Sequence, residues 1–237
     1  MLSGMSKVDI LSIGAHAGDA EIASGIALAN AVNAGKKVAM CHLTLGEKGN
    51  PKMCPEGYAA QRREEVEAAA AVIGAKAYVL PYFDGTLPVN DEVKLKIADV
   101  IRDCKPDVII THHFKSIHKD HVNCSLNVPD AIFYAGIAGF KSDKEPHYCR
   151  SLYFAENWED KEDYVPDLYL EVTEGDIALW REMALKHALF RGEVVAFPYV
   201  EYYEKLVRVR GIEKYIKYAV TLELPSYAKT RRITSLL

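Results

Sequence analysis

The chain predicts a doubly wound α/β fold, a mostly parallel sheet with helices on both faces. Short apolar strand-like runs alternate with helix-like segments through the first half, as in right-handed βαβ units. The strand-like runs are followed by polar loops, the places where such sheets bind ligands. Hydrophobic content of 49% and charged content of 26% are ordinary for a globular protein able to bury a substantial core.

The elements follow in order. Residues 8–14 read as a buried strand and 20–34 as a helix of small residues ending at Gly35. A second strand spans 37–43, and a polar loop runs from Thr44 to Pro51. Residues 56–73 form an amphipathic helix with Gly74 as its stop. Residues 77–80 read as a strand, 90–104 as a helix and 107–111 as a fourth strand. The second half is less regular. It holds a helical stretch at 120–138 in spite of Pro129, short strands at 150–154 and 167–172, helices at 174–191 and 199–217, and a closing strand at 219–224. The chain has no repeat, low-complexity tract or linker. Residues 1–237 are therefore read as a single domain, with a core part at 1–125 and a C-terminal part at 126–237. The stretch after Pro225, with Arg231 and Arg232, is expected at the surface.

Composition excludes several classes of function. A net charge of −4 offers no basic field for nucleic acid or an anionic membrane. No apolar run approaches the roughly 20 residues that span a bilayer. The opening residues Met1 to Lys7 lack a signal-peptide core, so the cytoplasm is the expected compartment. Cys41, Cys54, Cys104, Cys124 and Cys149 are odd in number, scattered and without a C-x-x-C pair. They are read as buried small hydrophobes rather than as disulfides or a thiolate zinc site.

The strand-end rule selects the loops that start at Ala15, Thr44, Pro81 and His112. The first holds His16 and Asp19, an imidazole and a carboxylate three residues apart at a strand–helix junction. The last holds His112, His113, His118 and His121, four of the eight histidines. Strands one and four commonly lie side by side in such sheets. This would bring two or three imidazoles and a carboxylate together, the ligand chemistry of mononuclear zinc. Asp120 could orient His118 by accepting its N–H and favour the protonated ring. Any one of these histidines alone is an ordinary hydrogen-bonded or exposed residue. Two clusters at adjacent strand ends outweigh that reading. His42, His147 and His187 lack such partners and are read as structural.

On these motifs the sequence resembles the LmbE-like or PIG-L zinc de-N-acetylases. Ala15-His16-Ala17-Gly18-Asp19-Ala20-Glu21 is similar to the family's A-H-P-D-D-x-E, and His118-Lys119-Asp120-His121 to its H-x-D-H. Arg62-Arg63-Glu64-Glu65 through Ala69-Ala70 to Ile73-Gly74 resembles the R-x-x-E-x-x-x-A-A-x-x-L-G helix, and Asp84 also fits. The resemblance covers roughly residues 8–125. It implies a Rossmann-like fold and a metal-dependent, zinc-type hydrolase of carbon–nitrogen bonds other than peptide bonds. Such enzymes remove acetyl from N-acetylglucosamine units or similar small molecules. Carried over, His16, Asp19 and His121 would hold Zn2+ or another divalent metal. His118 would be the general acid or oxyanion stabiliser, with Asp120 orienting it, and Arg62 and Asp84 would lie near a sugar-like substrate. The resemblance also makes a homo-oligomer reasonable.

Where the family carries a general base, this chain has Gly18, and Ala17 replaces the preceding proline. Loss of a base typically costs about 10²–10⁴ in rate. Three readings follow. Another carboxylate, Glu47 or Glu21, serves as base; or Gly18 makes room for a bulkier or self-assisting substrate; or the protein binds metal and ligand with little turnover. Glu21 also has a bland role, favouring the dipole of the first helical turn. The glycines after strand one do not match G-x-G-x-x-G, which argues against a dinucleotide site. The aromatic stretch Phe197 to Tyr203 suits a sugar pocket but more ordinarily a core or subunit interface.

Overall fold

The computed structural model describes residues 7–230. Arg231, Arg232 and the residues before Lys7 lie outside them. Among the described residues the sheet has seven strands in the order β3-β2-β1-β4-β5-β7-β6. Strands β1 (Ile10–His16), β2 (Val38–Thr44), β3 (Lys76–Tyr82), β4 (Val108–His112) and β5 (Ser151–Ala155) are parallel. The closing strand β7 (Ala219–Glu223) enters antiparallel between β5 and β6 (Leu168–Glu171). Ile10 of β1 is in register with Val38 on one side and Val108 on the other, so strands one and four are neighbours as expected. Their carboxyl ends therefore deliver His16 and His112 to one place.

One core lies between the sheet and α4 (Asp91–Cys104) and α5 (Lys119–Gly136), around Leu11, Ile13, Ile97 and Ile109. A second lies on the opposite face, where α3 (Pro55–Val72), α6 (Glu174–Ala184) and α7 (Tyr199–Ile212) pack. No helix among the described residues is long and apolar enough to cross a membrane.

Several readings change in detail, among them the helix expected at 199–217, which ends at Ile212. The first helix is two, α1 (Asp19–Ala23) and α2 (Gly25–Asn33), broken at Ser24. The Ser24 hydroxyl donates to the Ala20 carbonyl and pairs with Ser12 Oγ at 2.6 Å, local bonding that competes with a continuous helix. The helix read at 174–191 ends at Ala184 and gives way to turns that carry His187. Four cysteines are buried, but Cys54 is exposed at the N-cap of α3, so the buried reading fails there.

A partly buried polar clamp joins α2 to α6. Asp176 completes a capping box with Thr173 and accepts from Asn30 Nδ2 at 3.0 Å and Asn33 Nδ2 at 2.7 Å. Asp176→Ala removes these bonds, leaving the half-buried Asn30 amide without its partner and the exposed Asn33 amide to water, so urea unfolding at neutral pH should show a loss of about 1–3 kcal/mol. Burial acts to raise the Asp176 carboxyl, but these donors outweigh it and hold it below its ordinary 3.8. A depressed folded value means that the contribution is complete above 3.8 and is lost as pH falls through the folded value. The penalty of the substitution should therefore shrink in acid. An undiminished penalty at low pH would contradict the account.

Candidate active site

The site begins with a turn that only a few backbone shapes allow. His16 ends β1 and Asp19 opens α1, and between them Gly18 adopts φ 95°, the left-handed region that favours glycine. A second glycine, Gly14, lets α1 approach the strand, since a Cβ there would stand 2.7 Å from Asp19 Cβ. The turn is pinned at its backbone: Ala17 N–H donates to the Thr44 carbonyl at 3.0 Å and His16 N–H to Asp19 Oδ2 at 2.7 Å.

Asp19 Oδ2 is the hub of the cluster. His16 Nδ1 lies 3.1 Å from it, His112 Nε2 3.1 Å and His121 Nε2 3.5 Å. Tetrahedral zinc with bonds of 2.0–2.1 Å sets its ligands about 3.3–3.4 Å apart, so the Asp19–His16 and Asp19–His121 separations each suit a pair of ligands on a small cation. Of the remaining ring nitrogens, His121 Nδ1 has the carboxylate partner that metal-binding imidazoles commonly use. His121 Nδ1 donates to Asp160 Oδ1 at 2.9 Å, and His16 Nε2 lies 3.3 Å from Asp84 and 3.4 Å from Asp120. Three overlapping sets, Asp19 with His112 and His121, His16 with His118 and His121, and His16 with Asp84 and Asp120, converge closely enough to hold an ion.

The electrostatics follow from this packing. Burial alone would lower the His16 imidazole, but Asp19, Asp120 and Asp84 hold it well above its usual range. His112, against Asp160 and Asp19, is raised to about 9 in spite of its burial. His121 is pushed down to about 4 by burial and by the neighbouring His112. Asp160 is buried, which would raise it, yet the two imidazoles it accepts from carry it far below the carboxylate range. Glu159 goes the other way, up to about 7, through burial and the nearby charges of Asp19 and Asp160.

An open pocket of about 210 Å³ reaches this cluster, with His118, Tyr58, Glu159 and Tyr199 among its walls. His118 is the N-cap of α5, and its Nδ1 accepts the Asp120 N–H at 3.2 Å. A neutral ring so placed carries its proton on Nε2. Burial and the charge of His16 lower its affinity for a second proton. The expected carboxylate–imidazole pair of Asp120 with His118 is not made. Asp120 instead accepts from Gly85 N at 2.6 Å and Leu87 N at 3.3 Å, tying down the 84–87 loop.

The other predicted residues fall in different places. Asp84 faces His16 at the pocket wall. Glu47 stands behind it, accepting the Asp84 N–H at 3.0 Å, and lines a neighbouring cavity of about 480 Å³. Arg62 reaches the pocket, but its guanidinium is committed to the Ala17 and Leu45 carbonyls. Glu21 lies fully buried beneath the turn, where burial would raise it but His42 and His187 hold it at about 2. Of the aromatic stretch, Tyr199 lines the pocket, Phe197 stacks on Trp158 at 4.5 Å, and Tyr203 is core.

Asp160 and Glu159 escape sequence reading, and His112 is noticed there without a role. The signal was available: Glu156 to Asp160 follows β5, so the strand-end rule that selected four loops also selects this fifth.

Fold and site together define a doubly wound α/β protein with a histidine–carboxylate cluster, suited to a divalent metal, at the carboxyl edge of its sheet. Residues 11–132 match the family described as PIG-L, GlcNAc-PI de-N-acetylase. The chain belongs to that family, as its paired motifs imply. It is 24% identical over 212 residues to a 4-oxalmesaconate hydratase of Pseudomonas putida, covering 86% of this chain and 80% of the relative. It is 27% identical over 157 residues to a diacetylchitobiose deacetylase of Thermococcus kodakarensis, covering 61% and 58%. The conserved protein TT1542 from Thermus thermophilus superposes with a TM-score of 0.80 at 26% identity, covering 95% of this chain and all (100%) of that one. Relatives in this group are thus deacetylases and a hydratase.

Proposed function

We propose that the protein is a zinc-dependent amidohydrolase that removes an acetyl group from an N-acetylated amino sugar or similar small molecule. The observation that carries the reading is the gathering of His16, His112 and His121 within 3.5 Å of Asp19 Oδ2 beside an open pocket, with Asp160 behind His121. A divalent metal held there supplies Lewis-acid chemistry, polarising an amide carbonyl and lowering the pKa of water. His118 presents Nε2–H to the carbonyl oxygen as it gains charge. Gly18 supplies no base, and Glu47 stands behind Asp84. Glu159 is a pocket carboxylate that makes no side-chain hydrogen bond among the described residues and stands 3.7 Å from His121 Nδ1. We assign it the proton of the attacking water, which it returns to the nitrogen as the C–N bond breaks, leaving acetate and a free amine. Asp160 and His187, from the C-terminal part, join the site and its support, which favours residues 1–237 acting as one domain.

The hydratase relative makes water addition to an unsaturated acid the second reading. A substrate with several carboxylates needs cations beyond a metal. Arg62 is committed to backbone carbonyls, and Lys48 nearby donates to the Asp84 carbonyl at 2.5 Å. The pocket walls Asp84 and Glu159 are acidic, so they favour a neutral or cationic substrate. Acetate release from N-acetylglucosamine conjugates, set against hydration of 4-oxalmesaconate, tests the choice, and turnover of the second alone would reverse it. In the deacetylation assay Glu159→Gln should lower kcat by about 10²–10⁴ while metal content stays unchanged. A loss below tenfold would remove Glu159 from the base role.

A further inference from the structure

Directly beneath the turn that carries His16 and Asp19 lies a buried polar assembly of Glu21, His42, Arg62, Glu65 and His187. The catalytic scheme does not use it. Hydrogen bonds link all of them but His42 into one chain. Arg62 donates to the Ala17 carbonyl and, through Nη1, to His187 Nδ1 at 3.4 Å and Glu65 Oε2 at 3.4 Å. His187, whose Nδ1 is thereby an acceptor, donates from Nε2 to Glu21 Oε1 at 3.1 Å. Glu65 accepts from Ala188 N at 3.1 Å, so the segment from the far half of the chain is tied in at two points. His42, on β2, completes the assembly by donating from Nδ1 to the His16 carbonyl at 3.2 Å.

Its contact with the turn is through the backbone. The carbonyls of His16 and Ala17, the two peptides before Gly18, would both lose their hydrogen-bond partners without His42 and Arg62. A left-handed residue follows them, and its conformation sets the direction in which Asp19 leaves the turn. We propose that His42 is a positioning residue for the metal site. Its Nδ1–H fixes the His16 carbonyl and so holds His16 and Asp19 at the spacing a cation requires. This rests on the metal reading above. The ring's other nitrogen makes no hydrogen bond and stands 3.6 Å from Glu21 Oε1, so the function is confined to the Nδ1 edge.

That edge can be tested separately from ring volume. An asparagine amide nitrogen superposes on histidine Nδ1, whereas glutamine fills more of the ring's space and places its amide near Nε2. In the full chain, zinc affinity measured by chelator competition should stay within about threefold of the unaltered protein for His42→Asn. It should fall at least about tenfold for His42→Gln, in line with the support that outer partners give to metal ligands. Equal affinities, or a better-binding glutamine variant, would overturn the proposal, because a packing role predicts that order. Nitrogen NMR of the unaltered chain is independent of whether either variant folds. The His42 ring should carry its proton on Nδ1, and a ring protonated only at Nε2 would overturn the proposal. Stoichiometric zinc in the unaltered chain with no difference between variants defeats the positioning role alone. Absence of zinc binding in the unaltered chain defeats the metal reading and this inference together.

Discussion

Asp19→Asn is expected to empty the metal site, with metal per chain falling from near one to near zero and turnover falling by at least about 10³. The size of the effect follows from the geometry. One oxygen of Asp19 is within 3.5 Å of the nearest ring nitrogen of His16, His112 and His121, so it is the point at which the three imidazoles meet. Asparagine keeps the shape but removes the charge. The charge binds a cation and offsets the cost of burying several imidazoles together. Metal analysis of the purified variant is the direct measurement. Full metal occupancy with activity within tenfold of the parent would show that another of the converging sets holds the ion.

The second large effect concerns Gly18. Restoring the family's acidic residue with Gly18→Asp is expected to lower both stability and activity. At φ 95° an L side chain is strained, at a cost of about 1–3 kcal/mol. The new Cβ would also stand 2.8 Å from Phe190 Cζ and 3.0 Å from Arg62 Nη2. Phe190 is buried, and Arg62 is the donor that holds the Ala17 carbonyl, so neither yields without disturbing the turn. Denaturant unfolding should show a loss of about 2–4 kcal/mol, the overpacking penalty included, and acetate release should not rise. A variant as stable as the parent and markedly faster would mean that Gly18 is only a lost base.

Much of this was legible in the sequence because it depends on local pattern. The βαβ alternation predicts a parallel sheet, the sheet predicts that its carboxyl ends carry the chemistry, and the two histidine motifs then fall on neighbouring strands. What the pattern hides is pairing between distant residues of ordinary type. Asp120 sits between two histidines in the sequence, yet its carboxylate serves the 84–87 loop, because α5 turns its side chain toward Gly85 rather than toward His118. His42 and His187, which looked isolated along the chain, meet around Glu21 because β2 and the turn after α6 both pass under β1's end. Arg62 resembles a substrate contact by motif and is a backbone clasp by packing.

Local pattern was enough for the α/β class, the neighbouring placement of strands one and four, and the family. These follow from hydrophobic periodicity and residue spacing, which act over a few residues. Tertiary contacts set Asp160 behind His121, bring Glu159 into the pocket wall, and put a buried polar assembly beneath the turn of Gly18. Those depend on contacts between segments up to 166 residues apart, such as Glu21 with His187, whose energies come from burial and hydrogen-bond geometry that no local spacing encodes.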